Sequence, residues 1–304
     1  MSARRFTGHS VAPMLHTLIA GGHPRTGTVL GSSATSAYLA FDDFVVGVTA
    51  RAVPLMPNGV RVIESDGLDA FEAGAVVRTS VQGLCAGRVK VNWSKPVQVD
   101  LSVPLNETFN ARDVALRGRD LLEAMNHDAG PVAAIAGARP GIIAGKGLDA
   151  VQLLFDALSD DQPEAARDAA RLLIGRGPGL TPDGDDLLAA VAAATLAFEG
   201  PTGINRRVAR RLRAAVLVDD LGNRTGVLSA TLLKLAVEGQ VIEPVRSLLD
   251  LTVERSTWMR ALGRLKRIGH STGGTYALGC ALAALTLAGS HRIVKVNQSR
   301  EEKP

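Results

Sequence analysis

Three aspartates within four residues, Asp183, Asp185 and Asp186, close a glycine-rich run and open an apolar one. The run is Gly175-Arg176-Gly177-Pro178-Gly179-Leu180-Thr181-Pro182-Asp183-Gly184-Asp185-Asp186, with four glycines and two prolines in twelve residues. Leu187 to Ala194 then follows, built from strong helix formers. Such a junction supports anion binding. A helix start exposes unpaired N–H groups and a partial positive charge, and glycines admit a ligand close to the backbone. No Lys-Ser or Lys-Thr follows the glycines, so the run is not a Walker A loop, and its prolines argue against a dinucleotide fingerprint. One or two aspartates in a first helical turn are ordinary caps and dipole partners. Three exceed that need, which leaves two further roles open: holding a divalent cation such as Mg²⁺, or orienting a polar substrate.

Two more loops repeat the style. Gly222-Asn223-Arg224-Thr225-Gly226-Val227-Leu228-Ser229 leads into one small-residue helix, and Gly269-His270-Ser271-Thr272-Gly273-Gly274-Thr275 leads into another. Each adds one distinctive side chain, Arg224 or His270. Arg224 offers a planar fork for phosphate or carboxylate, with a structural salt bridge as the rival role. His270, among small polar neighbours, is the candidate for acid/base work; capping a helix is its rival. Thr181, Ser271 and Thr272 can give hydroxyls to a ligand or serve as caps. Three such loops predict several helix starts converging on one polar pocket.

The three loops resemble an uncharacterised-domain family that includes the H subunit of bacterial oxamate carbamoyltransferase, an enzyme of anaerobic allantoin breakdown. The hallmark Gly-x-Gly-Pro-Gly-Leu-Thr-Pro-Ser/Asp-Gly-Asp-Asp is matched by residues 175–186; a later Arg-Thr with a following Ser is matched by Arg224, Thr225 and Ser229; a Gly-His-Ser/Thr-Ser-Gly element is matched by Gly269, His270, Ser271 and Gly273, with Thr272 in place of serine. Thr275 stands where the pattern often has an acidic residue. Gly8-His9-Ser10-Val11 and Pro57-Asn58-Gly59-Val60 extend the likeness to residues 6–290. The resemblance implies carbamoyl transfer or a related reaction, within a multi-subunit assembly.

It also implies a site. His270, Arg224 and Asp185 take the catalytic roles. Gly177, Gly179, Thr181, Gly184, Asp186, Thr225, Ser229, Ser271, Thr272 and Gly273 take substrate-binding roles, joined from the N-terminal half by His9, Ser10 and Asn58. If the last three line the site, it lies at a domain interface. The ligand expected is a small anion, such as oxamate, oxalurate or carbamoyl phosphate, with no cofactor unless Asp183, Asp185 and Asp186 hold Mg²⁺. Carbamoyl transfer needs donors for phosphate, a clamp for the acceptor carboxylate, and proximity. No Ser-His-Asp or Cys-His nucleophile signature stands in the chain, which argues against a covalent hydrolase. Two alternatives stay open: a non-catalytic ligand-binding or scaffolding subunit, and a Mg²⁺-dependent phosphotransferase.

The chain has 304 residues, 46% hydrophobic and 21% charged, enough for two domains. Its apolar stretches near 187–198 and 276–288 are too short to span a bilayer, which needs about 20 residues. No signal-peptide pattern follows the start, and the two cysteines, Cys85 and Cys280, lie far apart, so a reducing cytoplasm is expected. The net charge of +4 is modest; Arg206, Arg207, Arg210, Arg211 and Arg213 read as a solvated helix face. Aromatics make up 4%, which argues against nucleic-acid stacking. His16, His23, His127 and His291 lack partner spacing.

The elements that must position the loops divide the chain in two, an α+β arrangement. Residues 1–110 read as a β-rich barrel or sandwich: strand and turn over Val29–Leu39, β-branched or alternating runs at Phe44–Thr49, Val60–Ile63, Ala75–Arg78, Arg88–Trp93 and Val97–Leu101, an Asn58-Gly59 turn, and a helix over Val11–Ile19. Residues 111–290 read as mainly helical, with a glycine-rich connection at Gly137–Gly147, and residues 291–304 as a charged tail.

Overall fold

The computed structural model describes residues 4–13, 15, 24–42, 44–93, 95–126, 146–203 and 206–289. An eight-strand β-barrel comes first and a helical region follows, so the α+β reading holds and the barrel alternative is the right one. The strands are β1 (Arg4–Val11), β2 (Thr26–Ser32), β3 (Ser36–Phe41), β4 (Phe44–Thr49), β5 (Gly59–Val62), β6 (Val76–Ser80), β7 (Gly83–Ala86), β8 (Val89–Asn92) and β9 (Val97–Gln98). Neighbours run β5-β4-β3-β2-β6-β7-β8-β1, and a β1–β5 pairing closes the ring, with β9 added beside β1. Closure removes the exposed edges an open sheet would carry.

β1 divides its partners. Arg4 to Thr7 run parallel to β8, while Gly8 to Val11 run antiparallel to β5. A register shift between Gly8 and Ser10 makes His9 a bulge residue. The barrel interior is filled by Phe6, Leu39, Val46, Val48, Val60, Val62, Val77 and Val91. β4 is buried along its whole length. Its Val46 and Val48 face the barrel core, while Val45 packs outward on Leu228 and Leu232 of the helical region. Two covered faces explain why this strand reads as an unbroken apolar run.

Two readings of the barrel's sequence differ from the structure. Val11 ends β1 rather than starting a helix, and the rest of the expected Val11–Ile19 helix lies largely outside the described residues, as do most of Gly137–Gly147, residues 291–304 and the four histidines without partner spacing. Strands β1 and β7 were not expected. The four-residue β7, Gly-Leu-Cys-Ala, has no β-branched residue to mark it.

The helices are α1 (Ala111–Asn126), α2 (Lys146–Ser159), α3 (Pro163–Leu173), α4 (Asp183–Thr202), α5 (Arg206–Val216), α6 (Leu221–Arg224), α7 (Val227–Ala236), α8 (Glu243–Leu249), α9 (Arg255–Leu265) and α10 (Thr272–Leu287). α4 and α10 are buried almost all round, as their alanine-rich sequences require. They pack closely because Gly279 lies against Ala190 and the Leu187 carbonyl, where a Cβ would sit 2.6 and 2.9 Å away. The segment between β9 and α1 is tied to the helical region: Val241 N–H donates to the Leu101 carbonyl, and the buried Asn106 bridges Ala197, Leu249 and Leu251. Barrel and helices also meet directly, through Val45 N–H on the Thr231 hydroxyl (3.1 Å) and Leu55 N–H on Glu243 (3.2 Å).

Candidate functional site

The three loops do converge, and Asp185 and Asp183 are the knots. Asp185 sits in the first turn of α4 and is 1% exposed. Its Oδ1 accepts the Gly175 N–H at 2.9 Å; its Oδ2 accepts the Ser229 hydroxyl at 2.7 Å and the Thr225 hydroxyl. One carboxylate therefore binds the first loop to the second. Burial pushes its carboxyl above the usual range, although the Thr225, Gly175 and Ser229 donors all work the other way. Asp183 accepts the Ser271 hydroxyl, and the Thr181 and Thr272 hydroxyls lie 3.1 Å apart, so the first loop also meets the third.

Most loop glycines lie where a side chain would collide with a neighbouring segment. A Cβ on Gly175, whose φ is +73°, would stand 2.1 Å from the Arg224 carbonyl; one on Gly184 would stand 2.0 Å from the Leu173 carbonyl. Gly177 and Gly273 are similarly hemmed in by Asp183 and Leu265. Gly179 differs: nothing lies within 4 Å of its Cβ direction, and it borders a cavity. The helix starts are also less open than expected. The Gly184 N–H donates to the Arg176 carbonyl, the Asp185 and Asp186 N–H groups to Pro182, and the Gly273 N–H to Ile268.

That cavity, of about 750 Å³, lies between barrel and helices. The barrel side supplies Ser33, Thr35, Ser36, Tyr38, Thr49 and Met56. The helical side supplies Gly179, Thr181, Ser271, Thr272 and Tyr276, the apolar Leu228 and Leu232, and a basic group of Arg264, Arg267 and His270. Arg264 is paired with Glu243 at 2.8 Å. Arg267 has no ion-pair partner among the described residues, and the exposed His270 ring makes no side-chain hydrogen bond among them. A concave, mixed apolar and hydroxyl wall with an uncommitted guanidinium suits a small anion.

Asp186 stands behind this wall. It is 2% exposed, and its Oδ2 is buried without a hydrogen-bond partner. Burial raises its carboxyl well above the usual range; hydrogen bonds from Thr272 and Thr181 oppose the shift, and the charges of Asp183 and Asp185 reinforce it. The Tyr38 and Tyr276 phenols beside it are raised as well, by burial first and by Asp186 as a further cause. A carboxyl shifted in this direction gives up its proton less readily, which lessens the negative charge near an anion.

The expected site residues thus separate. His270, Ser271, Thr272, Thr181 and Gly179 line the cavity. Asp185, Thr225, Ser229, Gly177, Gly184 and Gly273 do not; they hold the loops together. Arg224 does not line it either: its Nε is 2.7 Å from Asp220, the residue that precedes α6. Ser10 bonds His9, and the buried Asn58 donates to the Val45 carbonyl at 2.6 Å, so the barrel's contribution to the cavity comes from other residues. Asp185 faces Gly175, Thr225 and Ser229 while Asp183 faces Ser271, and no group of three or more potential metal-ligating side chains occurs among the described residues. Tyr38, Thr49, Tyr276, Arg264 and Arg267 were missed from the sequence. Only Arg267 and Tyr276 carried a signal, their nearness to the Gly269–Thr275 loop.

Residues 173–284, the span holding all three loops, match the family model described as oxamate carbamoyltransferase subunit AllH. The match supports the family that the loops resemble. The AllH match leaves out the barrel, so the likeness over residues 6–172 rests on the sequence motifs alone. No curated protein and no solved structure matches the chain. Among the described residues, no helix is long and apolar enough to cross a membrane.

Proposed function

We propose that the chain is a subunit of an oxamate carbamoyltransferase-like enzyme and that the interdomain cavity binds its small anionic substrate. The observation that carries this reading is Arg267. It is a guanidinium without an ion-pair partner among the described residues, in a cavity also lined by the Thr181 and Thr272 hydroxyls and by His270. In this reading Arg267 clamps the carboxylate of oxamate or the phosphate of carbamoyl phosphate, the hydroxyls hold the amide or carbamoyl group, and His270 serves proton transfer. A cavity of about 750 Å³ exceeds what one such anion fills, so donor and acceptor fit together. The AllH match over residues 173–284 supports the same class of reaction.

Melting curves test it. A ligand that binds only the native state, at about a hundred times its Kd, stabilises by roughly 2.7 kcal/mol. Oxamate or carbamoyl phosphate should raise Tm; oxamide, the neutral analogue of oxamate, should do so far less. If both anions leave Tm unchanged, alone and with the co-purifying subunits, the reading fails.

A second reading keeps the anion and drops the chemistry: a ligand-binding subunit that docks on a catalytic partner. The dispersal of Asp185 and Arg224 away from the cavity favours it, since both were expected to act on substrate. Carbamoyl transfer by the chain purified alone would exclude it.

A further inference from the structure

A second concavity, of about 620 Å³, opens where the barrel meets α8 and α9, and is lined by His9, Arg51, Arg61, Val62, Ile63, Glu243 and Arg264. It gathers three guanidinium groups against a single carboxylate. Glu243 Oε2 accepts Arg61 at 2.7 Å and Arg264 at 2.8 Å, and also the Leu55 N–H. Burial would raise Glu243, but the Arg264 and Leu55 hydrogen bonds and the nearby Arg61 charge outweigh it and hold the carboxyl below its usual range. Glu243 is therefore an anion already shared between two cations. Arg51 has no ion-pair or side-chain hydrogen-bond partner among the described residues; only its backbone is engaged, donating to the Glu64 carbonyl at 2.9 Å. Surplus positive charge in a concave surface attracts a counter-anion.

The backbone adds an independent observation. His9 is the residue at which the β1–β5 register slips, between the pairs Gly8–Val62 and Ser10–Arg61. A bulge re-aims a side chain, and here it leaves His9 exposed and lining the concavity with Arg61, while Val60 and Val62 fill the barrel. Nδ1 of His9 lies 2.7 Å from the Ser10 hydroxyl, which fixes the ring. The Gly8-His9-Ser10 motif, which lies away from the interdomain cavity, is accounted for here.

We propose that this concavity is a second binding site, for a small oxyanion of the phosphate or carboxylate class, held by Arg51, Arg61 and His9. Arg264 borders both cavities, so it stands between the two bound anions. The site is independent of the ligand assigned to the interdomain cavity.

Calorimetric titration of the full chain with inorganic phosphate, in a low-salt buffer free of other oxyanions, tests the proposal. Arg51→Ala should weaken phosphate binding at one site by about tenfold or more, the loss of a charge-assisted contact, with an unchanged melting curve because Arg51 is exposed. Arg267→Ala should leave that site intact. Arg260→Ala, on the outer side of α9, should bind as the wild type does. The proposal is overturned if Arg51→Ala binds phosphate like the wild type, or if Arg260→Ala weakens binding as much as Arg51→Ala does. Failure of the interdomain reading looks different: Arg267→Ala would then change no phosphate site while Arg51→Ala still did.

Discussion

The Asp185 carboxylate accepts the Ser229 hydroxyl at 2.7 Å across 44 residues of sequence, inside the protein. That bond, with those from Gly175 and Thr225, turns the most ligand-like aspartate of the sequence into the fastener between two loops.

Asp185→Ala should therefore lose stability before it loses anything else. The buried Thr225 and Ser229 hydroxyls and the part-buried Gly175 N–H would lose their acceptor, at a cost of about 3 kcal/mol. Denaturant unfolding at pH 7 checks this. A variant with wild-type stability and weakened oxamate binding would return Asp185 to the substrate.

Asp186 predicts a pH dependence. Its folded-state carboxyl titrates well above the value of an unfolded chain, because burial disfavours the charged form. The folded state therefore binds the proton more tightly. Its contribution is complete below the unfolded value and is lost as pH rises through the folded one. Asp186→Asn stays neutral throughout. Its Tm should exceed the wild type's at pH 8 and converge with it toward pH 4; equal curves at both pH values would mean that Asp186 is not strained by burial.

Gly184→Ala reverses an ordinary rule. Alanine favours helices over glycine by about 1 kcal/mol, yet here its Cβ would meet the Leu173 carbonyl at 2.0 Å. The overpacked variant should lose about 1–3 kcal/mol instead. A gain in Tm would show that α4 can move away from α3 freely.

Arg224→Ala should change neither Tm nor ligand affinity measurably, since the side chain is an exposed i,i+4 partner of Asp220. Parallel melting and oxamate titration decide. A large loss of affinity would place Arg224 back among the ligand-binding groups.

Much of this architecture was legible. Pro163 and the apolar spacing after it mark α3, and the β-branched Phe44–Thr49 run marks β4, because those signals are local. The meeting of the three loops was legible from their shared style. What each residue does there was not. Gly184 looks identical in sequence whether it yields to a ligand or to the Leu173 carbonyl, and Arg224 whether it meets an anion or Asp220. Tyr38, Thr49 and Arg264 reach the cavity through barrel closure and the packing of β4 on α7, long-range contacts that no periodicity records. His9 stood out, but its destination depended on a one-residue bulge.

The central claim is that Arg267 holds a small anion in the interdomain cavity. Calorimetric titration of oxamate into the wild type and into Arg267→Ala measures it most directly. The account predicts saturable binding by the wild type and an affinity about tenfold or more lower in the variant, the loss of a charge-assisted contact, with unchanged melting of the free protein. Equal affinities in the two proteins would contradict it.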